Sequence, residues 1–201
     1  MDPLSSRPKK TFSPIFYSGD LAIRELTPLP FNFDDGRCVS VSDSYALACA
    51  SENHERSCWL YNGSFYRRVG MTLSGHYRGA MAAVNNHGQD TAVIISGLQC
   101  GGKNCTGSIS TEIFQPGRDH WRKVSEYQEF DKFSLFTAVS MNSQVYVFGG
   151  YQGVHKSDNV YIMTDFLWRR SRLNMQSRRV SHYSFTHGKN HKIYDIIYET
   201  Y

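Results

Sequence analysis

The chain has 201 residues, 40% of them apolar and 14% aromatic, which suits a globular domain with a substantial core and excludes a fibrous or disordered one. Its formal net charge of +4 is a weak excess that does not by itself point to a nucleic-acid or membrane partner. Thirteen Tyr and twelve Phe, spread along the whole length, suit strands packed on both faces better than an amphipathic helical bundle, so the starting expectation is all-β.

Residues 1–35 read as an N-terminal extension or linker. The opening MDPLSSRPKKTFSP carries charge, Ser and Pro, and no apolar run long enough for a signal peptide. Phe16, Tyr17 and Leu21 to Ile23 suit an outer strand of a preceding sheet, but Pro28 and Pro30 favour a linker. In a first unit, about 36–72, stretches 44–50 and 57–61 read as strands, and Asn62-Gly63 predicts a two-residue type I′ hairpin into 65–69. In a second unit, about 73–126, an apolar strand over 91–97 closes on Ser96-Gly97, and 110–124 holds another strand, a Pro116-Gly117 turn and Trp121. A third unit, about 127–174, repeats the order with a strand over 144–150 closing on Gly149-Gly150, then Tyr161 and Trp168. A fourth, about 175–201, supplies two strands, over 178–185 and 192–197. No stretch approaches a membrane span.

Residues 110–124 align without a gap on 157–171 at an offset of 47, which matches Phe114 with Tyr161 and Trp121 with Trp168. A period near 47 with four short strands per unit fits propeller blades, whose repeat is roughly 40 to 50 residues. Residues 92–95 and 145–148 are continuously apolar, as expected of a sheet covered on both faces by its neighbours. Gly149 and Gly150 let a strand end bend and another backbone come close.

An aliphatic-aromatic strand closing on Gly-Gly, then Tyr or Phe, then Trp seven residues on, resembles the kelch repeat, and YVFGGYQGVHKSDNVYIMTDFLW matches it closely. The resemblance covers about 36–198 and is strongest in the third unit. Ser96 replaces the first Gly in the second unit, while Cys49-Ala50 and Tyr198-Glu199 stand in its place in the first and fourth. It implies a partial kelch-type β-propeller, three complete four-stranded blades and about half of a fourth, with the missing blades supplied by absent sequence or another chain. It also implies a non-catalytic module that binds another protein. The copper-radical oxidases share this architecture, but no segment resembles their cross-linked tyrosine and paired histidine ligands, so neither an enzyme nor a metal or other cofactor is expected.

His182, His187 and His191 cluster loosely, yet strand alternation sends His182 and His187 to opposite faces, and they read as packing or surface residues rather than a metal site. The stretch holding Arg169, Arg170, Arg172, Arg178 and Arg179 lacks a recognition helix or stacking aromatics and reads as solvated turns, so nucleic acid is not expected as a partner.

The resemblance places partner-binding residues on loops between second and third strands, here 98–109 and 151–157, and on the connections between blades, here 72–78, 126–132 and 174–179. His76, Arg78, Tyr151, His155, Lys156, Arg178 and Arg179 are the candidates. Gly97, Trp121, Gly149, Gly150, Tyr161 and Trp168 are assigned to the repeat itself. Cys49 ends one predicted strand and Cys58 begins the next, so they can face each other in a hairpin, while Cys100 and Cys105 share one loop. Paired loop cysteines in successive blades resemble those of secreted kelch-like proteins, which implies two disulfides stapling loops, an extracellular location and an unpaired Cys38. Asn62-Gly63-Ser64 and Asn104-Cys105-Thr106 agree with secretion, although ten asparagines yield about two such matches by chance. The alternative is a cytoplasmic kelch adaptor with five free thiols, recruiting ubiquitin-ligase substrates or scaffolding actin.

Overall fold

The computed structural model describes residues 15–17, 23–25, 29, 33–101, 104–181, 183–187 and 192–196; Pro28, Pro30, His182, His191, Tyr198 and Glu199 lie outside them. Among the described residues every regular element is a strand, apart from one 3-10 turn at Gln128–Phe130. Strands β1 (Ile15–Tyr17) and β2 (Ile23–Glu25) pair with each other. Sheet I follows, with β3 (Arg37–Ser42), β4 (Tyr45–Ser51), β5 (His54–Tyr61) and β6 (Tyr66–Arg68) in sequence order. Sheet II is built the same way from β7 (Ala80–Asn86), β8 (Gln89–Gly101), β9 (Asn104–Phe114) and β10 (Trp121–Glu126). After β11 (Phe133–Ser134), sheet III begins with β12 (Thr137–Met141) and β13 (Gln144–Phe148). A short hairpin of β14 (Tyr151–Gln152) and β15 (His155–Lys156) then pairs back onto β11, and β16 (Asn159–Thr164) and β17 (Leu167–Asn174) complete sheet III. Strands β18 (Tyr183–His187) and β19 (Lys192–Ile196) form a two-stranded sheet IV. All pairings within these sheets are antiparallel.

Successive sheets lie face to face, and this explains the unbroken apolar runs. In β8, Ala92 and Ile94 pack toward sheet I with Leu47, Leu60 and Met81, while Val93 and Ile95 pack toward sheet III with Val145, Val147 and Tyr161. All four β8 residues are fully buried because side chains alternate between two covered faces. Phe114 and Trp121 lie in the same cluster as sheet I, and Tyr161 and Trp168 in the same cluster as sheet II, so the 47-residue repeat places its aromatics on the face that meets the preceding sheet. The first strands β3, β7, β12 and β18 are neighbours in turn and form a shared inner edge.

Two backbone features recur with the sheets. Asp35, Arg78, Leu135 and Ser181, each two residues before a first strand, all take left-handed φ values of 51°, 57°, 55° and 51°. Leu135 N–H donates to Arg78 O at 2.8 Å and Ser181 N–H to Leu135 O at 2.9 Å, so these steps are laced from one sheet to the next. At the end of the second strand Ala50, Ser96 and Gly149 are also left-handed, at 59°, 46° and 61°. The first position of the Gly-Gly pair is therefore a conformational requirement that Ala and Ser meet under strain. Because Ala50 is the bulged residue between Cys49 and Ser51, the counterpart of Gly-Gly in sheet I is Ala50-Ser51, not Cys49-Ala50.

Local turns depart from expectation in two places. Tyr61 pairs with Tyr66, so Asn62-Gly63 belongs to a four-residue loop and not to a two-residue hairpin. Asn62 Oδ1 accepts hydrogen bonds from the N–H groups of Ser64 and Phe65, a side-chain turn that competes with the tighter form. Trp121 sits opposite Phe114, but Trp168 sits opposite Met163 rather than Tyr161, because Asp165 and Phe166 close a two-residue turn with both φ values positive. The gapless sequence match thus hides a change of register.

Gly150 has φ +91°, and a Cβ there would lie 2.7 Å from Phe136 Cβ and 2.8 Å from Ser134 O; Gly117 also has φ +91° but nothing within 4 Å. Gly150→Ala is therefore expected to cost about 3 kcal/mol or more in urea unfolding, and Gly117→Ala only about 1 kcal/mol. Equal costs would show that close approach at Gly150 does not matter.

Candidate functional site

Within an antiparallel sheet of this order, the β4–β5, β8–β9 and β13–β16 connections emerge at the same end as the links between sheets. There they form one laced rim. Tyr77 and Leu98 exchange backbone hydrogen bonds at 3.0 and 2.7 Å, Thr72 and His76 N–H donate to Arg56 O and Glu55 O, and Gly153 N–H donates to Lys132 O. Gly150 N–H donates to Arg179 O at 2.7 Å, and Arg179 N–H to Ser157 O at 3.3 Å.

Two disulfides are formed, Cys49–Cys58 and Cys100–Cys105, and Cys38 is free and exposed. Their settings differ. Cys49 and Cys58 are directly opposed on β4 and β5 and fully buried in the core between sheets I and II, so this bond ties core strands rather than a coreless loop. Cys100 and Cys105 close the far end of the β8–β9 hairpin. Residues 98–109, expected as a loop, are largely strand, because both partners extend the ladder past the bulge at Ser96.

His76 does not face a partner. Its side chain is fully buried, with Nδ1 2.6 Å from Ser96 O and Nε2 3.1 Å from Glu112 Oε1, and Glu112 is equally buried. The carbonyl can only accept, so Nδ1 carries a proton. The Glu112 carboxylate also accepts from the N–H groups of Leu73 at 2.7 Å and Ser74 at 2.8 Å. Burial would raise the Glu112 pKa, but the hydrogen bonds from His76, Leu73 and Ser74 outweigh it and hold the carboxyl below the usual carboxylate range. The pair anchors the sheet I to sheet II connection onto β9. No rule of sequence alternation applies to that irregular connection, and so its burial was not legible.

The other candidates do lie on the rim. Arg78 pairs with Asp35 at 3.0 Å and lies 5.0 Å from the centre of the Tyr77 ring, whose hydroxyl donates to the same carboxylate at 3.3 Å. Desolvation by burial and then, against the nearby Arg78 cation, the Asp35 charge raise the Tyr77 pKa. Tyr151 is half-buried on β14, His155 and Lys156 are exposed on the edge strand β15, and Arg178 is exposed. Arg179 is half-buried, with Nε donating to Ser177 Oγ. Asp35, assigned by sequence to the linker, and Val154, 83% exposed at the tip of the β14–β15 hairpin, were missed. Asp35 is 43 positions from Arg78, and nothing local marks them as a pair.

Away from the rim, the face of sheet I turned from sheet II borders an apolar cavity of about 340 Å³ lined by Leu29, Phe33, Ala46, Ala48, Tyr61 and Tyr66. Burial, with help from Tyr61 and Cys38, pushes the Tyr66 hydroxyl up to about 12. Among the described residues no group of three or more His, Cys, Asp or Glu side chains is placed to hold a metal ion.

No family model and no curated protein matches this chain. Among solved structures 141 chains match, and one of them, YjhT, superposes with a TM-score of 0.69 at 9% sequence identity, covering 81% of this chain and 58% of YjhT. At that identity the likeness is one of fold alone, and this chain spans little more than half the length of YjhT.

Because the Glu112 pKa is lowered on folding, its contribution to stability is present above the unfolded value of about 4.3 and is lost as pH falls through the lower folded value. Glu112→Gln is expected to remove that part of the acid dependence and to cost about 3 kcal/mol at neutral pH, since His76 and two backbone N–H groups lose a charged acceptor. Denaturant titrations between pH 3 and 7, as an approximate range, would refute this if wild type and variant lost stability in parallel.

Proposed function

We propose that this chain is part of a kelch-type β-propeller, three four-stranded blades and the first two strands of a fourth, and that it works by holding another protein against its loop rim. The observation that carries the reading is the repetition of left-handed steps before each first strand and, in sheets I to III, late in the second strand or just after it, with the sheets neighbouring one another along a common inner edge of β3, β7, β12 and β18. The remaining blades come from polypeptide beyond these residues or from another chain. The fold likeness to the longer YjhT supports that larger assembly.

The role is binding and not catalysis. Among the described residues the buried acid-base pair, His76 with Glu112, has no exposed side-chain surface and is occupied in fixing backbone. On the rim, by contrast, Tyr151, His155, Lys156 and Arg178 stand on a short hairpin and a connection held in place by backbone hydrogen bonds, a rigid platform for contact residues. Two disulfides support an oxidising, extracellular setting.

Tyr151→Ala combined with Arg179→Ala is expected to weaken capture of a cross-linked partner by about tenfold without lowering the melting temperature, whereas unchanged capture would sink the rim reading. Thiol titration of the denatured, unreduced protein is expected to count one free thiol, Cys38. Five would favour the intracellular adaptor.

A further inference from the structure

Each four-stranded sheet ends on an outermost strand in which an aromatic residue is followed by two cations: Tyr66-Arg67-Arg68 in β6, Trp121-Arg122-Lys123 in β10 and Trp168-Arg169-Arg170 in β17. All six cations are exposed. Register divides them between the two faces. Arg67, Arg122 and Arg169 lie opposite Leu60, Ile113 and Ile162, on the face toward the following sheet. Arg68, Lys123 and Arg170 lie opposite Trp59, Glu112 and Tyr161, on the face toward the preceding one. The outer end of the groove between sheets I and II therefore takes Arg67 from one wall and Lys123 from the other, and that between sheets II and III takes Arg122 and Arg170.

Carboxylates offset part of the band: there are two direct ion pairs, and the Glu112 charge also acts on Lys123. Asp119 pairs with Arg67 at 2.6 Å and Glu126 with Lys123 at 2.7 Å; Arg68, Arg122, Arg169 and Arg170 have no carboxylate partner among the described residues. Four of the six cations thus have no ion-pair partner among the described residues, which gives this perimeter a positive excess. Exposed charge on an outermost strand guards against edge-to-edge pairing, but either sign would serve that purpose. The same sign at related positions of three sheets, paired across successive grooves, calls for a second explanation.

We propose that this band is a docking surface for a linear sulfated polysaccharide, with anionic groups along the polymer meeting its exposed cations, above all Arg122 and Arg170, which share a groove and have no carboxylate partner among the described residues. Sheets pack about 10 Å apart at their cores, so the pairs form a stepped row suited to charge repeated along a polymer rather than to a single anion. Beside two of the cation pairs the aromatic residue is turned inward, Trp121 being 4% exposed and Trp168 packed against the core, and offers no platform on which bases could stack; Tyr66, beside the third, is half-buried against Tyr61. Two disulfides suit the oxidising compartment in which such polysaccharides are displayed. The band is separate from the loop rim and does not rest on it.

Heparin is the probe. In calorimetry at about 0.15 M salt, R122E with R170E is expected to lose about tenfold or more in heparin affinity and to elute earlier from heparin resin, while K132E with K156E, an equal charge change on the rim, shifts affinity by less than about twofold. R122Q with R170Q repeats the test if charge reversal disturbs folding, which thermal melting reports. Equal losses in the two reversed pairs would reduce retention to net charge and overturn the proposal. Unchanged affinity in R122Q with R170Q would overturn it too, as would tighter binding of single-stranded DNA through the same two arginines.

Discussion

Ala92, Val93, Ile94 and Ile95 are consecutive and fully buried, and a strand can achieve that only if its sheet is covered on both sides. Sheet II is a sound object only between sheets I and III, since each of its faces would otherwise present a plane of apolar side chains to water. Each fully buried Val or Ile contributes about 1.5 to 3 kcal/mol, so the two interfaces, and not hydrogen bonding within any one sheet, carry most of the stabilisation that the conformational entropy opposes.

That demand for two-sided cover shapes the backbone at the sheet ends. To carry the chain from one sheet to the next and back to the inner edge, it must turn sharply at fixed points, and it does so with left-handed residues at Asp35, Arg78, Leu135 and Ser181 and again at Ala50, Ser96 and Gly149. Most are not glycine, so each carries a small strain repaid by packing nearby. At Ser96 the compensation is visible: its buried hydroxyl lies 2.9 to 3.2 Å from the carbonyls of Ser108, Phe130 and Phe133, where a glycine would leave those groups without that donor. Gly97 and Gly150 at the following position admit backbone so closely that a side chain would collide with it.

The same geometry separates what is buried from what is presented. The connection between sheets I and II is drawn onto β9 by His76 and Glu112, so a histidine in an apparent rim loop becomes an internal anchor, while Tyr151, His155 and Lys156, on a hairpin that pairs only with β11, are left at the surface. At the opposite radius the outer strands, having one partner strand each, carry the exposed arginines.

Much of the architecture could be read from the chain alone, because strand alternation and repeat period are local properties. The unbroken run at 92–95 implied two covered faces, the 47-residue offset placed Phe114 with Tyr161 and Trp121 with Trp168 on equivalent faces, and Cys49 and Cys58 were placed to meet across a hairpin. What the chain could not reveal depends on groups far apart in sequence. The burial of His76 needs Glu112, 36 positions on, and the Asp35–Arg78 pair spans 43. The opposition of Trp168 to Met163 depends on a turn at Asp165-Phe166, where bulky Phe166 is held at a positive φ against its own preference. By itself the sequence determined the all-β class, the period and the cysteines able to pair; only tertiary packing decided where several strands began and ended, which turns tightened, which rim residues went inside and which cations came to share a groove, because those outcomes are energies of contact between segments that no local pattern encodes.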